Sequence, residues 1–184
     1  MIASLRGRLL VASPALGDPN FDRTVVFVIE HHQEGALGVI LNRQLDIGVA
    51  YALSDWVPVA AEPRSIFSGG PVGQGSAIAL ADVILDDVGS VFTQIVGSLG
   101  VLDIGSVESI PPPGVHRVRV FSGYSGWDGD QLEAEIAAEA WFVVDAKVDD
   151  VFALDPDGLW EQVLSRQSGA LGRVANYPPE LWLN

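Results

Sequence analysis

The sequence contains no cysteine and a single lysine, Lys147. The absence of cysteine excludes disulfides, thiolate zinc sites, iron–sulfur clusters and cysteine nucleophiles. The scarcity of lysine excludes a Walker phosphate loop, because the glycine-rich residues 69–76 lack the Gly-Lys-Ser/Thr sequence that such a loop needs. With these groups missing, we expect neither a cofactor nor a bound metal.

Positive charge is also scarce. Lysine and arginine together number 10, against 24 aspartate and glutamate residues, and the net charge is −14. Such a field repels phosphate backbones, because non-specific affinity for nucleic acids comes from cations that replace counterions. We therefore expect the partner to be a small polar ligand or another protein and not a nucleic acid.

Long apolar runs are missing as well. The first run, residues 9–12, is shorter than the ~7–15 residues of a signal-peptide core. Stretches such as 77–85 contain Asp82 and fall short of the ~18 residues that a membrane helix needs. The sequence therefore predicts a cytoplasmic protein without a membrane segment. Its 184 residues suit one domain over residues 1–184, as a monomer or a homodimer.

Apolar, β-branched runs bounded by glycine, proline and polar residues predict strands. The predicted strands cover 8–12, 24–29, 36–41, 65–67, 76–85, 91–96, 115–121 and 141–144. The two runs around the polar residues 31–35 predict a hairpin. Residues 97–114 include three consecutive prolines and are predicted to be a connector.

Helical patterns come mainly in the second half of the chain. Helices are predicted over 49–56 and 130–138, and a third is predicted to begin at Asp155-Pro156 with proline in its first position. In the second helix, Asp130 is the predicted N-cap, and Glu133 completes a capping box. Clustered antiparallel strands with late helices favour an α+β fold over strict alternation of strands and helices.

Polar residues are unusually dense between residues 9 and 43. They are Asp18, Asn20, Arg23, Glu30, His31, Asn42 and Arg43. One interpretation is structural, in which Arg23 and Arg43 pair with carboxylates such as Asp18 or Glu30 and lock loops to the sheet. The other interpretation is that the same residues bind a ligand.

Two catalytic patterns are incomplete. Residues 123–127 come close to the Gly-x-Ser-x-Gly nucleophile turn around Ser125, but Trp127 replaces the last glycine and favours a glycine-rich turn with an aromatic anchor. Glu30 and His31 supply an acid/base pair or metal ligands by type, although alternation along a strand directs them to opposite faces.

The run GRLLVASPALGDPNFDRTVVFVIEHHQEGALGVILNR resembles the opening signature of the YqgE/AlgH family. The match continues through 67–72 and 119–127 and then through 131–135 and 140–141, so it covers nearly the whole chain. The resemblance implies one α+β domain with a coiled, partly split, mostly antiparallel sheet packed by helices. It adds these positions to the signature cluster: Gly69, Gly70, Pro71, Gly123 and Trp127.

The resemblance carries a label of transcriptional regulator but no established activity. We therefore hold three hypotheses. The first is a non-enzymatic regulatory module that binds a ligand or a protein. The second is a hydrolase-like enzyme with Glu30 or His31 as general acid/base. The third, direct action on DNA, is disfavoured by the net charge of −14.

The charge balance predicts that the protein does not bind duplex DNA. A mobility-shift assay at low salt is the most favourable test for binding, because screening by counterions is then weakest. We expect no shifted band under those conditions. A shifted complex that dissociates as salt is added would show that the few arginines gather into a DNA-binding face.

Overall fold

A curled sheet organises the computed structural model, which describes residues 3–84, 88–106 and 110–178. Its strands are β1 (Arg8–Ala12), β2 (Val25–His32), β3 (Gly35–Ile40), β4 (Gln44–Gly48), β5 (Ser65–Ser68), β6 (Val72–Val83), β7 (Phe92–Val96), β8 (Leu99–Leu102), β9 (Val115–Asp128) and β10 (Trp141–Asp145). The helices are α1 (Val49–Ala52), α2 (Gln131–Ala137), α3 (Val148–Val151), α4 (Leu159–Ser165) and α5 (Gly169–Val174), with 3₁₀ helices at Ser54–Val59 and Gly89–Val91.

The long strand β9 joins the two halves of the sheet. The strand order is β10-β1-β2-β3-β9-β6-β8-β7, and β5, which also pairs with β4, lies parallel to β9 at Phe67 and Phe121. The other pairings between these strands are antiparallel. This confirms the predicted α+β fold with a mostly antiparallel, coiled sheet. The bounds of 1–184 for one domain stay a prediction.

The guanidinium group of Arg6 links distant strands of the curled sheet. Its Nε donates to the carbonyl of Ile29 in β2 at 3.1 Å, and its terminal nitrogens donate to the carbonyls of Gln94 at 2.7 Å and Ile95 at 3.2 Å in β7. One side chain therefore occupies carbonyl groups on the edge strand β7, which would otherwise be open to another chain.

Both faces of the strands β1 and β2 are buried. Leu9, Val11 and Phe27 point into a core that also contains α4, whereas Leu10 and Val26 point into a second core against α2. Alternating side chains reach opposite faces of a strand, so a strand covered on both sides has a continuous apolar sequence. This explains the apolar run that predicted β2.

Within the described residues, no helix is long and apolar enough to cross a membrane.

Two glycine-rich segments belong to strands. Residues 123–127 lie inside β9 and not in the predicted turn, and most of 69–76 belongs to β6, whose register with β9 shifts between Val72 and Ala77. A Cβ atom on Gly69 would lie 2.2 Å from the carbonyl oxygen of Gly123, and one on Gly70 would lie 2.3 Å from the backbone of Tyr124. Glycine is therefore required because two backbones approach closely, which the sequence cannot distinguish from a turn.

Three other predictions of secondary structure need correction. Strand β8 lies inside the predicted connector 97–114, and strand β4 was not predicted. The helix predicted over 49–56 is a short α1 followed by a 3₁₀ helix. Strand β8 could not be predicted because the connector has few β-branched residues between its glycines. The prolines that follow also favoured a connector over a strand.

The predicted helix caps are confirmed only in part. Asp130 is the N-cap residue of α2, as predicted, but it has a left-handed conformation with φ of 64° and makes no side-chain cap. Glu133 bonds to His31 instead of completing a capping box. Helix α4 begins at Leu159, after Gly158, so Pro156 is not its first residue. Asp155 accepts the Gly158 amide at 3.3 Å and so stabilises the turn before the helix. Helix α4 has a buried apolar stripe of four residues: Leu159, Trp160, Val163 and Leu164.

Glu135 anchors α2 to the sheet. One oxygen of its carboxylate accepts both indole N–H groups of Trp127, at 2.9 Å, and Trp141, at 2.8 Å. The two indoles meet edge to face with centroids 5.9 Å apart, and Phe21 packs against both rings. The carboxylate therefore joins the ends of β9 and β10 to α2.

Replacing Glu135 with alanine should destabilise the protein by about 2–4 kcal/mol, because the indole donors of two buried tryptophans lose their charged acceptor. Urea unfolding followed by tryptophan fluorescence measures this loss. Glu139→Ala, at an exposed position beyond the same helix, is the matched control and should change stability by less than about 1 kcal/mol. Equal effects of the two substitutions would contradict this anchoring role.

Candidate functional site

His31 is fully engaged in internal hydrogen bonds. The backbone N–H of Leu5 donates to Nδ1 at 3.0 Å, and Nε2 lies 2.8 Å from Oε1 of Glu133 in α2. Because Nδ1 accepts a hydrogen bond, the neutral ring carries its proton on Nε2 and donates it to the Glu133 carboxylate. His31 thus ties the N-terminal segment and α2 to β2, and neither nitrogen is left for substrate chemistry.

The surroundings of the Glu133 carboxylate lower its pKa and so favour the ionised form that accepts this hydrogen bond. A hydrogen bond from its own backbone amide lowers the pKa of Glu133, burial opposes that effect, and the hydrogen bond and charge of His31 lower it further. Glu133 is therefore a stable acceptor for His31.

Glu30 lies on the other side of β2 from His31. The carboxylate of Glu30 is exposed beside a cavity of about 240 Å³ that His32, Glu34 and Trp127 also line. His31 instead lines a larger cavity of about 920 Å³ with Asp130 and Glu133. The two residues of the hydrolase hypothesis thus face different cavities. Within the described ranges, no three histidine or acidic side chains are grouped to hold a metal ion.

Asn42 and Arg23 tie loops and the C-terminal helices to the sheet. The Asn42 amide accepts the Val25 N–H at 2.9 Å and donates to the Arg23 carbonyl at 2.9 Å. The Arg23 guanidinium donates to Glu161 at 2.7 Å and to the Tyr177 carbonyl at 3.0 Å, and it lies 4.1 Å from the Trp160 ring centre. Arg23 is therefore paired internally, as predicted, but with Glu161 instead of Asp18 or Glu30.

Arg43 and Asp18 also stabilise the loop before β2. Arg43 donates to the carbonyl of Asp22, and burial lowers the pKa of Arg43 while the charge of Asp22 opposes the shift. Asp18 accepts the backbone N–H of Asn20 at 2.9 Å, which is an Asx turn. The predicted pairing of Arg43 with Asp18 or Glu30 is therefore wrong, because Arg43 and Asp18 each bond to a backbone group instead.

Ser125 cannot act as a nucleophile in this fold. Its side chain is buried, and its hydroxyl donates to the carbonyl of Gly69 at 3.1 Å. Gly69, Gly70 and Gly123 surround it at the crossing of β5, β6 and β9, while Pro71 is exposed beside them. The twelve signature positions therefore lie in several separate parts of the structure, and their role as a binding cluster stays a prediction.

A charged cleft lies elsewhere, at positions that the sequence analysis did not select. It has a volume of about 630 Å³ and lies between β9, the segment before β5, and the helices α3 and α4. We call it the arginine cleft. Its polar lining includes Glu62, Arg117, Lys147, Asp149, Asp150 and Arg166. A cavity of several hundred Å³ with a few convergent polar groups is typical of small-molecule sites.

Arg119 supports the arginine cleft from behind. Its guanidinium donates to the carbonyls of Val151 and Ala153 at 3.1 Å each and of Glu62 at 2.6 Å, and it lies 4.4 Å from the Phe67 ring centre. Burial, reinforced by the charge of Arg117, lowers the pKa of Arg119 to about 10. Within the described residues its Nε has no hydrogen-bond partner, and no carboxylate forms an ion pair with the group.

Arg117 is held by two carboxylates at the mouth of the arginine cleft. It donates to Asp82 at 3.0 Å and to Asp149 at 2.7 Å, and its guanidinium lies 4.5 Å from the Phe152 ring centre. Burial opposes the charge on Arg117, but the hydrogen bonds and charges of Asp149 and Asp82 together raise its pKa. The alternation V-H-R-V-R-V-F over residues 115–121 puts Arg117 and Arg119 on one face of a strand. This pattern is a signal in the sequence that points to the cleft.

The carboxylate of Asp82 makes the Arg117 pair dependent on pH. Burial raises its pKa, but hydrogen bonds from Ser98, Arg117 and His116 and the Arg117 charge outweigh burial and lower it. A lowered pKa in the folded state stabilises the fold above the unfolded value of about 3.9 for aspartate. That contribution is lost as the pH falls through the folded pKa.

We therefore expect Asp82→Asn to lower the free energy of unfolding by roughly 1–2 kcal/mol at neutral pH. The loss is limited because Arg117 keeps partial access to solvent. The substitution should also weaken the fall in stability below about pH 4. Chemical unfolding at a series of pH values measures both effects. Asp46→Asn, at an exposed position on β4, should leave the curve unchanged. Parallel curves for the wild-type protein and Asp82→Asn would contradict the assignment.

Known proteins match this chain over nearly its whole length. A UPF0301 protein of Thermobifida fusca is 45% identical over 192 residues, which cover 98% of this chain and 96% of that protein. A UPF0301 protein of Streptomyces coelicolor is 43% identical over 187 residues, which cover 100% of this chain and 97% of that protein.

Two solved structures share the fold. A crystal structure of a protein from Corynebacterium diphtheriae superimposes with a TM-score of 0.87 at 28% identity, over 96% of this chain and 94% of that one. The solution structure of the AlgH protein from Pseudomonas aeruginosa gives a TM-score of 0.71 at 26% identity, over 97% and 96%. The family model described as AlgH-like matches residues 9–172. This chain therefore belongs to the AlgH-like family, as its signature residues predicted.

Proposed function

We propose that the protein is a non-enzymatic binding module that takes a small polar ligand or a protein partner and has a regulatory role. One observation supports this proposal above the others. The side chains that resemble catalytic groups, His31 and Ser125, use their polar atoms in internal hydrogen bonds, while the arginine cleft is open and lined with charged groups. Binding needs only such a cleft, whereas catalysis needs a free acid, base or nucleophile beside it.

Glu30 supports the alternative of a hydrolase-like enzyme. Its carboxylate is exposed beside a cavity, and no hydrogen bond to it is found among the described residues. A carboxylate with a free lone pair is able to act as a general base on a bound water. The alternative is weaker because His31 lines a different cavity.

Direct action on DNA is the least favoured function. The net charge of −14 gives the protein a field that repels phosphates, and the arginines of the cleft are largely paired with acidic side chains. A regulatory effect on transcription would then pass through a ligand or a protein partner. We propose a cytoplasmic monomer or homodimer as the form that binds it.

A combined screen for turnover and binding tests this function. Chromogenic esters and phosphoesters should show no turnover with the wild-type protein. A thermal-shift panel of anionic, cationic and neutral polar compounds should include at least one class that raises the Tm, because a ligand that binds only the folded state stabilises it. Lack of any stabilising compound, together with no partner in chemical crosslinking, would contradict the proposed function.

The variant Glu30→Gln separates the enzyme from the binding module. We expect it to behave as the wild-type protein in both assays, as should the matched control Glu34→Gln from the same hairpin. Turnover that is lost in Glu30→Gln and kept in Glu34→Gln would establish the hydrolase instead.

A further inference from the structure

We propose that the arginine cleft binds a small oxyanion, a ligand with a carboxylate or phosphate group, through Lys147 and Arg117, with displacement of the Asp149 carboxylate. This inference rests on the proposed function as a binding module and names the ligand class for one cavity. It is carried by the charges that remain open in the cleft after its internal ion pairs are counted.

Most of the acidic groups in the arginine cleft are already engaged. Asp150 accepts two hydrogen bonds from Arg166, at 2.5 and 2.6 Å, and a third from the backbone N–H of Lys147 at 2.7 Å. Glu62 pairs with Arg64 at 3.1 Å, and Asp155 accepts the backbone N–H of Gly158 at 3.3 Å. Because these carboxylates have partners, a cationic ligand would have to compete with them in order to bind.

Lys147 is the positively charged side chain of the arginine cleft that makes no ion pair among the described residues. Its side chain is exposed, and no acidic side chain in the described residues lies within ion-pairing distance of its ammonium group. An ammonium group on a flexible chain readily meets an incoming oxyanion. An anionic ligand therefore gains an ion pair with Lys147 and breaks none that Lys147 already makes.

Asp149 occupies the position on Arg117 that we assign to the ligand. Its side chain is 85% exposed and contacts Arg117 through one oxygen at 2.7 Å. An exposed single ion pair stabilises the protein by only about 0.2–1 kcal/mol, so a competing oxyanion displaces it at little cost. Arg117 itself stays fixed, because Asp82 holds its Nε at 3.0 Å and the Phe152 ring lies beneath it.

The buried charge of Arg119 favours an anion in the same place. Arg119 is 2% exposed, and its hydrogen-bond acceptors are backbone carbonyls, so among the described residues no carboxylate is paired with its charge. Arg117 repels it, which contributes to the lowered pKa of Arg119. A buried charge without a counterion destabilises the fold, and so does the repulsion between Arg117 and Arg119. An anion bound beside Arg117 would reduce both effects.

The apolar part of the cleft limits the ligand to a small amphipathic molecule. Phe152 and Leu159 are buried in its wall, and Leu154, which is 80% exposed, stands at its rim. A volume of about 630 Å³ suits a ligand of small-metabolite size. A short carbon chain that carries one or two carboxylates, or a small phosphate monoester, matches this wall.

Isothermal titration at constant ionic strength, with succinate and inorganic phosphate as probes and putrescine as a dication, tests the proposal. Binding of succinate alone identifies a carboxylate site, and binding of phosphate alone or of both probes also supports an oxyanion site. Binding of putrescine alone would overturn the oxyanion assignment while leaving the proposed binding function intact. Absence of binding heat with every probe up to millimolar concentration would also overturn the proposed oxyanion site.

Two pairs of variants locate the site. Lys147→Gln should weaken binding of the succinate or phosphate probe about tenfold, whereas Arg173→Gln, which removes a positive charge on α5, should not change it. Asp149→Asn should tighten binding roughly threefold by freeing Arg117, whereas Asp55→Asn removes one negative charge elsewhere and should have no effect. Equal affinities in all four variants, or equal tightening by the two aspartate variants, would overturn the proposal. The Asp149 pair keeps the test decisive if Lys147→Gln is unfolded.

Discussion

The buried guanidinium of Arg119 is the interaction on which the second half of the structure depends. It joins β9 to the segment before β5 and to the turn after α3, through three backbone carbonyls and without a carboxylate. No neutral side chain presents three donors, and the planar guanidinium holds its donors in a fixed fork that reaches these three carbonyls at once. The cost is a desolvated positive charge, which lies directly behind a cleft that contains further cations.

The family signature has a different physical meaning. Its polar residues join separate segments: Asn42 completes the pairing beside β2, Arg23 joins the β2 loop to α4, and His31 joins the N-terminal segment to α2. Its glycines permit two backbones to cross. Each role requires one residue type in one place, so a signature of this kind identifies a fold and need not identify a reaction.

The sequence predicted the fold better than the site. Alternation and β-branched runs indicated β1, the β2–β3 hairpin and β10, because these strands are defined by local patterns. The length of β9 could not be predicted, since a glycine at a backbone crossing looks the same as a glycine in a turn. The arginine cleft could not be predicted either, because Glu62, Arg117 and Arg166 are far apart in the sequence and meet only through tertiary packing.

We propose that ligands bind at the arginine cleft and that the signature residues around the β2–β3 hairpin are structural. Mapping of backbone amide chemical shifts by NMR during titration with succinate or phosphate tests this most directly. We expect the largest shifts at Arg117, Lys147 and Asp149. Shifts concentrated at residues 30–37 instead, with the cleft unchanged, would contradict it.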